Sequence, residues 1–293
     1  MENVLKKGGI RAVVDSLGAQ LISLQDEEGT EYIWQRDSRF WASSAPVLFP
    51  VVGRVRGEQL QIEGKRYPMP RHGFARQSLF SASRQGEDTL LFRLCSSAET
   101  LQSYPFRFQL EVIFTLLCDG LAVRYRVVNE DEREMIFGIG AHPGINCPLV
   151  PEECFEDYEL RFAQPESVLS PGFSEGEILY SQMHDFLHGS NTLRLDYDLF
   201  QSDAIILEGL KSREVALVGA KSGRGIRFSF PDYSTLAFWT PPGKGAPLLC
   251  LEPWYGMGAR DDEPSEDLAG KHGMVHLQPG GEWEAEYSIH FLR

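Results

Sequence analysis

Polar and apolar residues alternate with a period of two along much of this chain, and that alternation constrains the fold more than any other feature of the sequence. It is plainest over residues 106–128, where Phe106, Phe108, Leu110 and Val112 are separated by Arg107, Gln109 and Glu111. Leu121, Val123, Tyr125 and Val127 then repeat the pattern around Ala122, Arg124 and Arg126. A period of two puts successive side chains on opposite faces of an extended backbone, so each run reads as a half-buried strand. Asp119-Gly120 stands between the runs and supplies the residues that a tight hairpin turn requires. Residues 106–128 are therefore predicted to be two antiparallel neighbours.

Shorter segments of the same kind recur at 11–14, 20–24, 32–34, 59–62, 79–82 and 89–94. In the second half they fall at 135–139, 158–162, 204–207, 215–218, 226–230, 236–239, 248–251 and 283–291. Helical signals are confined to Ser96-x-x-Glu99, ahead of Pro105, and to residues 265–269. The long amphipathic crossover helices of a parallel α/β fold are missing. The prediction is an all-β fold of roughly 15 short strands in a large antiparallel β-sandwich. No run of Gly, Ser or Pro is long enough to be a linker and no fixed-period repeat appears, so residues 1–293 are read as a single domain.

Composition narrows the partners. A net charge of −14 disfavours nucleic acid, whose binding depends on clustered Lys and Arg. Residues 54–76 run against that balance, with Arg54, Arg56, Lys65, Arg66, Arg71 and Arg76 facing only Glu58 and Glu63. This basic stretch reads either as a solvated hairpin or as an anion-attracting rim. The cysteines, at 95, 118, 147, 154 and 250, are odd in number and lack metal-type spacing, so they read as reduced thiols. Cys118 and Cys250 lie in or beside apolar runs and are expected to be buried. The first residues lack the apolar core of a signal peptide, and no stretch approaches 18 apolar residues. The expectation is a cytoplasmic protein with no membrane partner; no oligomeric state follows from the sequence.

Three titratable residues stand in settings suited to chemistry. His72 sits in the turn Pro70-Arg71-His72-Gly73-Phe74, after a hairpin expected over residues 59–68. His142 is delivered by residues 139–141 and followed by Pro143, which holds it in extended geometry. Glu252 ends the apolar run 246–251 and precedes Pro253, Trp254 and Tyr255. A carboxylate among apolar and aromatic neighbours has a raised pKa, which makes it a usable general base near neutral pH. Each also has a plain structural reading: a surface or strand-closing histidine, and a glutamate turned to solvent. Trp239, Trp254 and Phe137 offer faces on which a sugar's C–H groups stack, or else fill the core. Two histidines and a glutamate would also suit zinc, but HExxH spacing is absent, as are GxSxG and a Gly-rich phosphate loop before a helix. The residues point to acid–base chemistry on a small ligand such as a sugar.

Five separated segments, LFPVVGR (48–54), QIEGKRYPMPRHGFAR (61–76), GAHPGINCPL (140–149), LFQSDAIIL (199–207) and CLEPWYG (250–256), resemble those of the aldose 1-epimerases, or galactose mutarotase-like proteins. The likeness is greatest to the bacterial branch associated with lactose-operon genes. It implies an antiparallel β "supersandwich", a sugar or sugar phosphate as partner, and neither cofactor nor metal. It further implies that Glu252 takes the proton from the C1 hydroxyl while His142 protonates the ring oxygen. Ring opening, rotation about C1–C2 and closure on the other face then interconvert anomers. By the same resemblance His72, Arg54 and Asp203 bind the sugar, with Trp239 expected beside them as a stacking face, and Arg76 binds a phosphate if one is present. The HGFAR string resembles the hexose-6-phosphate epimerase branch, yet that branch's Arg-Gly-Gly motif is replaced by Ser43-Ser44-Ala45-Pro46. Free hexose is therefore expected ahead of hexose phosphate. A noncatalytic sugar-binding protein is a competing reading. A glycoside hydrolase or lyase is a third, with Asp203 as the second carboxylate.

Overall fold

The computed structural model describes residues 1–293, and its ordered elements are β-strands with short 3-10 turns between them. The two alternating runs form the hairpin Phe108–Leu116 and Gly120–Asn129, with Leu116 opposite Leu121, as the alternation predicted. They lie inside a nine-stranded sheet. Its order is Glu177–Arg194, Tyr158–Ser174, Glu214–Gly219, Gly225–Ser229, Glu282–Leu292, Gly120–Asn129, Phe108–Leu116, Thr89–Cys95 and Ser81–Arg84. A six-stranded sheet runs Ile205–Glu208, Thr235–Trp239, Leu248–Tyr255, Ile139–Ala141 and Val47–Leu48, with Gly144–Asn146 also paired to Leu248–Tyr255. The ladders in both sheets are antiparallel. Smaller sheets join Glu2–Lys7, Ile10–Asp15 and Gln20–Gln25, then Gln59–Ile62 with Lys65–Pro68, and Met135–Phe137 with Val275–Leu277.

The two large sheets face one another across one contiguous core. Phe162 of the larger sheet meets Phe238 of the smaller edge-on at 6.1 Å, and Tyr255 meets Trp283 at 5.2 Å. Such perpendicular aromatic contacts hold facing sheets in register as well as burying area. Phe49, fully buried, is the hub of a second aromatic group: Phe74, Tyr104, Phe108 and Phe137 all lie within 6.2 Å of its ring. Its carbonyl accepts the N–H groups of Phe74 and Ala75, which ties the basic 65–76 stretch to the core.

The structure departs from the sequence-based expectations in several places. It has 22 strands rather than about 15. Residues 32–34 make only isolated bridges, and the strand expected at 79–82 begins at Ser81. Residues 135–139 break at Gly138 into two strands of different sheets, where an added Cβ would crowd Tyr255 O at 3.1 Å. The strand begun at Tyr158 runs on to Ser174 and returns as Glu177–Arg194, a long hairpin that leaves the sheet after Phe162. The helical signals become single 3-10 turns. Ser97 and Thr100, not Ser96 and Glu99, exchange the capping hydrogen bonds, and Asp267 caps the turn at Leu268–Gly270. Cys250 is buried as expected, but Cys118 is exposed because it lies at the hairpin turn.

Truncating the aromatic hub tests this packing. Phe49→Ala is expected to lower unfolding free energy by about 3–5 kcal/mol in a urea titration. Leu169→Ser, at a 47% exposed position on the long hairpin, should change it by no more than about 0.5 kcal/mol.

Candidate active site

The strand Leu248–Tyr255 lies near the middle of the six-stranded sheet, and its two partner strands keep one register: Gly140 stands opposite Trp254 and Gly144 opposite Cys250. His142 and Pro143 fall in the gap between those partners, so His142 comes opposite Glu252. Directly opposed residues in antiparallel strands project to the same face. Nε2 of His142 accordingly lies 3.3 Å from Oε1 of Glu252. Pro143 has no N–H for the ladder, and its carbonyl accepts from the Leu251 N–H at 3.1 Å. On the far side of Glu252 the opposed residue is Ala237, and beyond it Ile206. Leu249, Leu251, Leu236 and Phe238 point the other way, into the core.

The resulting cavity is lined by Arg54, His72, His142, Asp203, Trp239 and Glu252, all expected from the sequence. Arg71, Trp254, Phe173 and Ile178 complete its wall; the last two come from the long hairpin. Its free volume is about 40 Å³. Arg76 does not line it: this residue sits half-buried in the turn Ala75–Gln77, with Nε lacking a partner.

Loops place the remaining groups. The His72 N–H donates to Gly53 O at 2.7 Å, and Nδ1 of His72 accepts from the Gly53 N–H at 3.0 Å. An accepting Nδ1 leaves the proton of the neutral ring on Nε2, so His72 offers a donor. Gly73 makes this turn possible, since a Cβ there would lie 2.1 Å from Phe49 O and its φ is +73°. His72 itself has φ 65° and Asp203 has φ 149°, conformations unusual for side-chain-bearing residues and concentrated at functional sites. Asp203 Oδ1 accepts from Ala204 N–H at 2.9 Å, while Oδ2 stands 3.9 Å from an Arg71 nitrogen. Arg54 is exposed and reaches the hairpin, donating to Glu175 O at 3.4 Å.

Burial dominates the electrostatics. It pushes the Glu252 carboxyl well above the usual range, with Arg71 pulling down and Asp203 adding to the rise. Burial also lowers His142 to about 3, helped by the charges of Arg71 and Arg76. His72 is held well below its ordinary value by burial and then by His142, Arg71 and Arg76. Burial thus favours the neutral form of both partners of this pair, which stand 3.3 Å apart. Glu252 Oε2, His142 Nδ1 and Trp254 Nε1 are buried without hydrogen-bond partners. Buried orphan polar atoms are scarce in folded proteins, and three of those in this molecule lie on residues that line one cavity. One grouping offers metal-type ligands, His142, Cys250 and Glu252 within 4.8 Å of one another. Cys250 does not line the cavity, and burial pushes its thiol well above the ordinary value.

Sequence reasoning passed over Arg71 as a site residue, because it looked like one more member of a basic run. Phe173 and Ile178 carried no local signal at all.

Known proteins share this architecture. Protein LacX (plasmid) from Lactococcus lactis subsp. lactis is 39% identical over 267 residues, spanning 88% of this chain and 89% of that protein. A galactose mutarotase related enzyme from Lactobacillus acidophilus superimposes with a TM-score of 0.95 at 31% identity, covering 100% of this chain and 98% of that one. A galactose mutarotase-like protein from Lactobacillus casei ATCC 334 gives 0.89 at 29% identity, covering 99% and 100%. The family model for aldose 1-epimerase matches residues 1–290, and this chain, with the strand-paired histidine and glutamate just described, belongs to that family.

Proposed function

We propose that this protein interconverts the α and β anomers of a hexose, with Glu252 as general base and His142 as general acid. The observation that supports this most is the buried Glu252–His142 pair, opposed across one ladder and bordered by orphan polar atoms. Anomer exchange needs one proton removed from the C1 hydroxyl and one delivered to the ring oxygen, then both reversed. With Glu252 neutral, the pair brings the one proton that the exchange requires. An entering sugar supplies hydroxyls that solvate the carboxylate, and shifting the proton to His142 gives the ionised base and charged acid without exchange with bulk water. In this scheme His72 Nε2–H donates to a sugar oxygen, Asp203 accepts from hydroxyls and Trp239 faces the ring, a reading supported by their common lining of the cavity. Every step moves a proton between oxygens and nitrogens of substrate and side chains, so the scheme calls on no cofactor.

A second reading, a phosphorylated hexose, has a specific observation behind it. Arg54 has no carboxylate partner, and the only carboxylate within ion-pair distance of Arg71 is Asp203, at 3.9 Å. Two guanidiniums at a sugar cavity in a chain of net charge −14 would suit an anionic substituent.

Three tests follow from these assignments. Glu252→Gln and His142→Asn should each slow mutarotation of a freshly dissolved anomer by about 10²–10⁴-fold in polarimetry, with sugar binding still measurable. Wild-type rates in either variant would remove that residue from the chemistry, and saturable binding without any acceleration by the native protein would favour the sugar-binding alternative.

Stability should carry the same signature. A depressed folded pKa contributes stability above the ordinary histidine value of 6.5, and that contribution is lost as pH falls toward 3. At pH 5 the native protein should therefore lose about 2 kcal/mol relative to pH 7.5 that His142→Asn does not lose. Glu252 works in the opposite sense: its raised pKa costs stability as pH rises past 4.5, so Glu252→Gln should be at least as stable as wild type at pH 8.

The phosphate reading is tested by a panel of anomers with and without a 6-phosphate. A KM at least about tenfold lower for the phosphorylated sugar, lost in Arg71→Gln, would select it. Equal KM values would leave the free hexose.

A further inference from the structure

Most working histidines are held by a hydrogen bond from the ring nitrogen that does not do the chemistry. His142 has none beyond its own backbone: its Nδ1 is buried and finds no partner on a neighbouring residue. Aromatic rings surround it instead. Trp41 stacks on it at 4.9 Å with 26° between planes, while Trp239 and His72 meet it edge-on at 5.5 and 5.6 Å.

Trp41 does not line the cavity; it comes from the irregular segment between residues 34 and 47. Its placement is nevertheless tightly fixed. Its N–H donates to Asp37 O at 2.9 Å, its carbonyl accepts from Trp34 Nε1 at 2.7 Å, and its ring meets Trp239 edge-on at 5.6 Å. The ring also lies over Gly144, where a Cβ would come within 2.9 Å of it. The backbone next to His142 is thus bare so that the indole can lie flat against both.

The charged and titratable groups around the His142 ring are Glu252 and Cys250 from the paired strand, Arg71 and His72 from the 70–73 turn, and Arg76 from the turn after it. Glu252 is the one among them that favours a cation on the ring. The arginines oppose it, and an indole face, with its negative quadrupole, favours it without competing for the substrate.

We propose that Trp41 is a positioning residue for the acid: its indole face fixes the His142 ring in line with Glu252 and stabilises the imidazolium that forms while His142 carries the proton. The proposal rests on the reading of His142 as general acid. Trp41 touches no reacting atom, so its effect is confined to how often, and in what orientation, His142 is charged.

Trp41→Leu should lower kcat for anomer interconversion by about tenfold while KM stays within about twofold, and the alkaline limb of the kcat profile, set by loss of the His142 proton, should move to lower pH. Trp41→Phe keeps a flat π face and should recover kcat to within about threefold of wild type. Unchanged kcat in Trp41→Leu, a raised KM with kcat retained, or equal damage in the Phe and Leu variants would each overturn the proposal. Proton NMR separates this from the parent reading. The His142 ring C–H signals, identified by their absence in His142→Asn, should be shifted upfield by the indole in the native protein and lose that shift in Trp41→Leu. A native spectrum without the shift sinks the proposal even if the enzyme is active. The shift with no mutarotation on any sugar would leave the stacking standing and reject the catalytic reading, together with the acid-stabilising part of the proposal.

Discussion

A carboxylic acid and an imidazole, both cut off from water and 3.3 Å apart, set the terms for everything around them. Placing such groups in a sheet interior costs free energy that hydrophobic residues of the same size would not, because neither has a full set of hydrogen bonds. The rest of the molecule supplies rigidity enough to hold them there. A nine-stranded sheet backs the six-stranded one, and facing aromatic rings such as Phe162 with Phe238 prevent the smaller sheet from relaxing. Relaxation would let water reach Glu252 and return its pKa to the ordinary range.

Local irregularity is concentrated where the site needs it. The pairing of Leu248–Tyr255 is interrupted at His142-Pro143 and resumes in the same register, so the interruption frees a side chain without displacing the strand. The positive φ at His72 is offset by the Gly53–His72 backbone pair and by the close approach of Gly73 to Phe49. Bare backbone at Gly144 serves aromatic packing.

How much of this was legible in the sequence follows from the range over which each feature is encoded. Alternation is local, and it placed the hairpin from Phe108 to Asn129 almost to the residue. Pro143 after His142, and the apolar run before Glu252, are local too, so both residues stood out. Their juxtaposition is not local, because it depends on a register between strands about a hundred positions apart. Arg71 was hidden among other basic residues, and only the fold shows that it faces a cavity while Arg76 does not. The hairpin 158–194 escaped notice because its later part is polar on both faces, contains Pro165 and Pro171, and shifts register three times. Trp41 lies in a segment without any periodicity.

That hairpin arm carries a consequence for the site. Its far end is buckled to the body by the Arg56–Glu177 ion pair and by Arg260 stacked 3.5 Å over the Tyr180 ring, which lays Phe173 and Ile178 across the cavity. Because Phe173 and Ile178 come from this arm and not from either segment that carries Glu252 or His142, a change in how the arm docks reshapes the site while leaving the paired acid and base in place.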